Sequence, residues 1–105
     1  MELLSRTRAG DAERDDDLLC VEVSMHDPSL VACASEAGTV SLFDARSWAL
    51  SSRLRDAGGA GEAASALAFH PSQPHTLFVA SGCDVVELDL RQTVRAERAA
   101  PLQPA

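Results

Sequence analysis

Two carboxylate–guanidinium pairs are the residues in this chain best suited to chemistry. Asp44-Ala45-Arg46 and Asp89-Leu90-Arg91 share an Asp-x-Arg spacing and stand about 45 residues apart, a period that marks stacked supersecondary units. An Arg fork on a strand end makes bidentate, charge-assisted contacts to a partner. The same spacing also lets each Asp cap its turn while the Arg pairs locally or points into water. Both readings are open at this level.

The other reactive side chains do not assemble into a catalytic set. Cys20, Cys33 and Cys83 are odd in number and widely spaced, which does not describe a disulfide framework. The expectation is a reducing compartment, cytoplasmic or nuclear. Cys33 lies in an apolar run and reads as a small core residue. Cys83 lies in a turn and is the more accessible thiol. His26, His70 and His75 form no close ligand pair with the cysteines, so no metal is expected. His26 and His70 both stand near turn prolines, Pro28 and Pro71, and read as matching turn residues. No catalytic, cofactor-binding or metal residue is assigned. Trp48 reads either as a binding anchor or as cover for an outer strand.

Positioning these residues falls to short strands. Leu19, Val21 and Val23 alternate with polar neighbours, the period of a half-buried strand. Leu30 to Ala34 is a continuous apolar run, expected to be buried on both faces. Thr39 to Phe43 alternates again, after a tight turn in which Gly38 supplies positive φ. Trp48, Leu50, Ser52 and Leu54 define one face of a fourth strand. The pattern restarts with Ala66 to Phe69, Leu77 to Ala80 and Val85 to Leu90. Thr93 to Arg98 reads as a weak fourth strand or a helical turn. The expected segments are a disordered acidic and basic tail at 1–17, a first repeat at 18–55, a Gly- and Ala-rich loop between the repeats at 56–63, a second repeat at 64–98 and a disordered tail at 99–105. The loop lacks the Lys and ordered Gly spacing of a phosphate loop.

Composition narrows the class further. The chain has 105 residues, enough for one small domain, and 46% are hydrophobic, sufficient for a core. Only 4% are aromatic, so Ala fills much of the apolar fraction and the chain is expected to fold weakly alone. A net charge of −7 repels phosphate, which argues against sequence-independent nucleic-acid binding. No apolar stretch is long enough for a membrane span, and the first residues lack the apolar core of a secretory signal.

With seven or eight short strands and no helix pattern, the expected fold is all-β: a sandwich, a barrel or a propeller. The internal repeat selects two four-stranded antiparallel propeller-type units, forming a partial, unclosed propeller. Ala34-Ser35-Glu36-Ala37-Gly38-Thr39-Val40-Ser41-Leu42-Phe43-Asp44 resembles the second half of a WD repeat, with Phe43-Asp44 at the Trp-Asp position. Leu88-Asp89 holds that place in the second copy, and Phe69-His70-Pro71-Ser72 resembles the lead-in. The resemblance spans Leu18 to Arg91. It lacks the Gly-His pair before the second copy, Ala37 replaces the turn Asp, and both Trp positions are changed. Ser35 and Ser81 remain from the family's polar relay, so divergent, less rigid units are expected.

Closed propellers typically need about four to eight such units. The resemblance therefore implies a piece of a longer protein, a truncated product, or a chain completed by association. It also implies a non-catalytic protein–protein interaction scaffold. Asp44, Arg46, Asp89 and Arg91 resemble the Asp-x-Arg ending of WD-repeat substrate receptors, in which the Arg faces the adaptor of a cullin-RING ubiquitin ligase. The expected partners are other proteins, with that adaptor as the named candidate, and neither nucleic acid nor membrane. The alternatives are a truncated product without activity of its own and a fragment of a propeller-type hydrolase.

Overall fold

The computed structural model describes residues 2–9, 16–58 and 62–91. It is all-β, with seven strands: β1 (Leu18–Val23), β2 (Leu30–Ser35), β3 (Val40–Asp44), β4 (Ala49–Leu54), β5 (Ala64–Phe69), β6 (Thr76–Ser81) and β7 (Asp84–Asp89). They form two antiparallel meanders, β1-β2-β3-β4 and β5-β6-β7. The second sheet has three strands among the described residues, not the four expected. The segment Thr93 to Arg98 lies outside them. No helix among the described residues is long and apolar enough to cross a membrane.

The two sheets pack through one apolar layer, with β1 and β2 lying on β5. Ala32, Ala34, Val40, Leu42 and Leu54 of the first sheet share a buried cluster with Leu67, Phe69, Leu77, Val79 and Leu88 of the second. Small side chains on β2 let the larger ones of the second sheet approach closely. Each fully buried Leu, Val or Phe contributes about 1.5–3 kcal/mol. These residues define the inner face of each sheet.

On the first sheet the outer face is only partly covered. Val31, Cys33 and Phe43 are buried there with Ala9, which belongs to the segment assigned from sequence to the tail. Ser41 Oγ donates to the Ala9 carbonyl oxygen at 3.4 Å, and Arg53 Nη2 donates to the same oxygen at 3.4 Å. β2 is thus buried on both faces, as its continuous apolar run implies. β1 is not half-buried as its alternation implies: Val21 and Val23 are exposed, because no second sheet among the described residues lies on that side. A bulge between Leu18 and Cys20 also breaks its register.

A second bulge corrects the expectation for β4. The strand starts at Ala49, and Trp48 precedes it with φ of 57°. Leu50 pairs with Phe43, whereas Ser52 pairs with Leu42 and Leu54 with Val40. The extra residue at the bulge sends Leu50 outward and Leu54 inward, since side-chain direction alternates with every residue.

The turns follow the repeat. Gly38 has φ of +88°, and a Cβ there would collide with the Glu62 carbonyl oxygen. Ala57 of the connecting loop is buried and donates its N–H to the Gly38 carbonyl at 2.9 Å. Ala37 stands where the WD-repeat pattern has a turn Asp, and a carboxylate from outside the turn serves it: Asp16 Oδ1 accepts from the Ala37 N–H at 2.8 Å. Ser35 Oγ accepts from the Thr39 N–H at 3.1 Å. The repeat-equivalent Ser81 Oγ is buried without a hydrogen-bond partner, because its turn, Gly82-Cys83, is shorter.

This asymmetry predicts opposite effects of one substitution at two equivalent sites. Ser35→Ala removes a satisfied acceptor and lowers unfolding free energy by about 1 kcal/mol. Ser81→Ala removes an unpaired hydroxyl and leaves stability unchanged or raises it. Urea denaturation of the two variants checks both.

Candidate functional site

Each Asp-x-Arg pair sits where a strand ends. β3 closes on Asp44 and β7 on Asp89. In both, the carboxylate folds over the residue two further on. Asp44 Oδ1 accepts from the Arg46 N–H at 2.9 Å and from Nε at 3.2 Å, while Oδ2 accepts from Nη2 at 3.0 Å. Asp89 repeats the arrangement on Arg91, at 3.0, 3.1 and 3.0 Å. Each is a bidentate fork combined with an Asx-type turn.

The turns are anchored alike as well. Ala45 donates its N–H to Ser29 O at 2.6 Å, and Leu90 donates to His75 O at 2.7 Å. Ser29 and His75 both belong to the turn before the neighbouring strand. The site is therefore a structural duplicate, built twice from the same strand–turn geometry.

Local pairing does not hide the guanidinium groups. The Arg46 side chain is 79% exposed and that of Arg91 is 68% exposed. Asp engages Nε and Nη2, which orients the plane and turns the opposite edge toward solvent. The Arg46 side-chain hydrogen bond, and then its backbone N–H, hold the Asp44 carboxyl below the usual carboxylate range. Arg91 does the same to Asp89. Beside the first pair lies a shallow pocket of about 110 Å³, lined by Asp27, Ser29, Asp44 and Arg46 with apolar neighbours. The Asp27 carboxyl is also lowered, chiefly by the Ser29 hydroxyl at 2.7 Å. Asp27 at this pocket is not legible from sequence, where it reads only as a turn residue.

The remaining candidates fall elsewhere. Cys33 is buried and its thiol is pushed up by burial, whereas Cys83 is exposed in a turn. No group of three His, Cys, Asp or Glu side chains among the described residues is placed to hold a metal ion. His70 serves its turn: Nδ1 accepts from the Ser72 and Gln73 N–H groups, each at 3.0 Å. In the first repeat that role belongs to Ser24, whose Oγ accepts from His26 N–H and Asp27 N–H. His26 and His70 therefore do not match as the sequence reading supposes. His26 Nε2 instead reaches the His70 carbonyl at 2.9 Å. Trp48 packs its ring on Phe43, 6.3 Å between centroids, so it covers the outer face and is also partly exposed.

The depressed carboxyls fix the direction of a pH effect. Both groups contribute stability above the unfolded Asp value, and lose that contribution as pH falls through the lower folded values. Carboxyl NMR titration will place the Asp44 and Asp89 midpoints below that of free Asp. Arg46→Gln will return Asp44 toward the ordinary range and leave Asp89 unmoved. No family model, curated protein or solved structure matches the chain.

Proposed function

We propose that the chain is a non-catalytic protein–protein interaction module of WD-repeat type, its two sheets acting as neighbouring units of a propeller. The observation that carries this reading is the duplicated Asp–Arg fork. Two positions related by the repeat present oriented, solvent-facing guanidinium edges on strand ends. A pre-set fork loses little side-chain freedom on meeting a partner's carboxylate or carbonyl. The Asp-x-Arg resemblance names the partner class as the adaptor of a cullin-RING ubiquitin ligase, with Arg46 or Arg91 as the contact and Asp44 and Asp89 as their positioning groups.

The reading makes a specific prediction in cells. Arg46→Ala with Arg91→Ala will abolish co-purification of the adaptor while circular dichroism stays unchanged. Asp44→Ala with Asp89→Ala will weaken it less, since the cation remains but loses its orientation. Unchanged recovery of the adaptor with the Arg variants removes the adaptor reading.

A further inference from the structure

The internal repeat identifies what kind of surface each exposed sheet face accepts. In the second sheet, the inner face built by Ala64, Leu67 and Phe69 of β5 is 0–6% exposed, because the first sheet covers it. The repeat-equivalent positions of β1 are Leu18, Val21 and Val23, on the outer face of the first sheet. They are 45%, 61% and 55% exposed. The same positions are thus buried in one copy of the repeat and open in the other.

The complementary face is open too. On the first sheet the inner face carries Ala32, Ala34, Val40 and Leu42, all buried against the second sheet. Their equivalents are Phe78, Ala80, Val85 and Glu87, which lie together on the outer face of β6 and β7. Val85 is 75% exposed. Among the described residues the pair of sheets therefore ends in two unlike faces, and the sheet-to-sheet contact joins faces of these two kinds.

Charge fits the same pairing. Glu87 stands opposite Phe78 on the outer face of the second sheet. Arg53 stands opposite Ser41 on the outer face of the first sheet, where Nε bonds Ser41 Oγ at 3.2 Å. Opposite charges on docking faces set register and favour encounter. A cavity of about 240 Å³, lined by Leu18, Val21, Val31, Phe43 and Trp48 with residues of the 2–9 segment, leaves room on the receiving face. That segment is a light cover. Ala9 is its one buried residue, and the two hydrogen bonds to the Ala9 carbonyl lie at the long limit of the range.

We infer that copies of this chain associate head to tail, the outer face of β5–β7 in one copy packing on the outer face of β1–β4 in the next and displacing residues 2–9. Such a contact is heterologous, so it closes into a ring or grows as an open stack according to its rotation. It does not depend on the adaptor reading, since Arg46 and Arg91 sit at strand ends.

Sedimentation of the full chain over rising concentration tests the inference. Species larger than the monomer are expected. Val21→Arg breaks the receiving face and Val85→Arg the inserting face, both at exposed positions. Each variant alone will weaken association by at least about tenfold, the effect of an unpaired charge in an apolar contact. An equal mixture will form a dimer and nothing larger, because one intact face of each kind remains. Glu87→Arg, which gives the inserting face the same sign of charge as Arg53 on the receiving face, will weaken association independently, with circular dichroism confirming the fold of all three. A wild-type chain that stays monomeric throughout, variants that associate like wild type, or a mixture that stays monomeric each overturns the inference.

Discussion

Everything in this molecule depends on the apolar layer between the two sheets. Neither meander can bury its own inner face, and each supplies the other's cover. The layer is asymmetric in side-chain size. Ala32 and Ala34 on β2 contribute little area themselves, but they admit Leu67 and Phe69 of β5 to close contact. That is how a chain with few aromatic residues reaches a closely packed interior. Enlarging Ala32 or Ala34, both 0% exposed, would force the sheets apart.

The turns convert that packing into fixed positions at the strand ends. Because β2 and β3 are locked between neighbours, Asp44 is delivered at a defined place, and its carboxylate closes on Arg46 without help from the core. β7 does the same for Asp89 and Arg91. The pairs are exposed ion pairs, so they add little to stability. Their value is orientation: each guanidinium plane is set before any partner arrives.

The equivalent serines are satisfied differently in the two copies, and loop length is the reason, although each copy keeps one buried hydroxyl without a partner, Thr39 Oγ1 in the first and Ser81 Oγ in the second. The longer turn after β2 gives Ser35 a backbone donor and recruits Asp16 from outside the sheet. The shorter turn after β6 leaves Ser81 buried without a partner. Gly58 lies so close to Ser81 that a Cβ there would overlap the hydroxyl. The connecting loop therefore packs onto the second repeat as well as joining it to the first. Residues read from composition as a linker become part of the structure.

Much of the fold was legible in the residues. Period-two alternation, the apolar run at Leu30 to Ala34, the turn prolines and glycines, and the repeat all act locally, so they locate the seven described strands and their order; the eighth they suggest, at Thr93 to Arg98, lies outside the described residues. The Asp-x-Arg spacing likewise foretold local pairing as one of two readings, because partners two residues apart meet through turn geometry alone. Three things required the tertiary structure. The bulges that turn Leu50 outward and break β1 depend on cross-strand pairing, which periodicity within one strand does not contain. The equivalence of His70 with Ser24, rather than with His26, depends on which backbone groups the turn brings together. Which apolar faces are covered depends on what lies against them: Val21 and Leu67 read alike in a sequence window, yet one meets solvent and the other a neighbouring sheet.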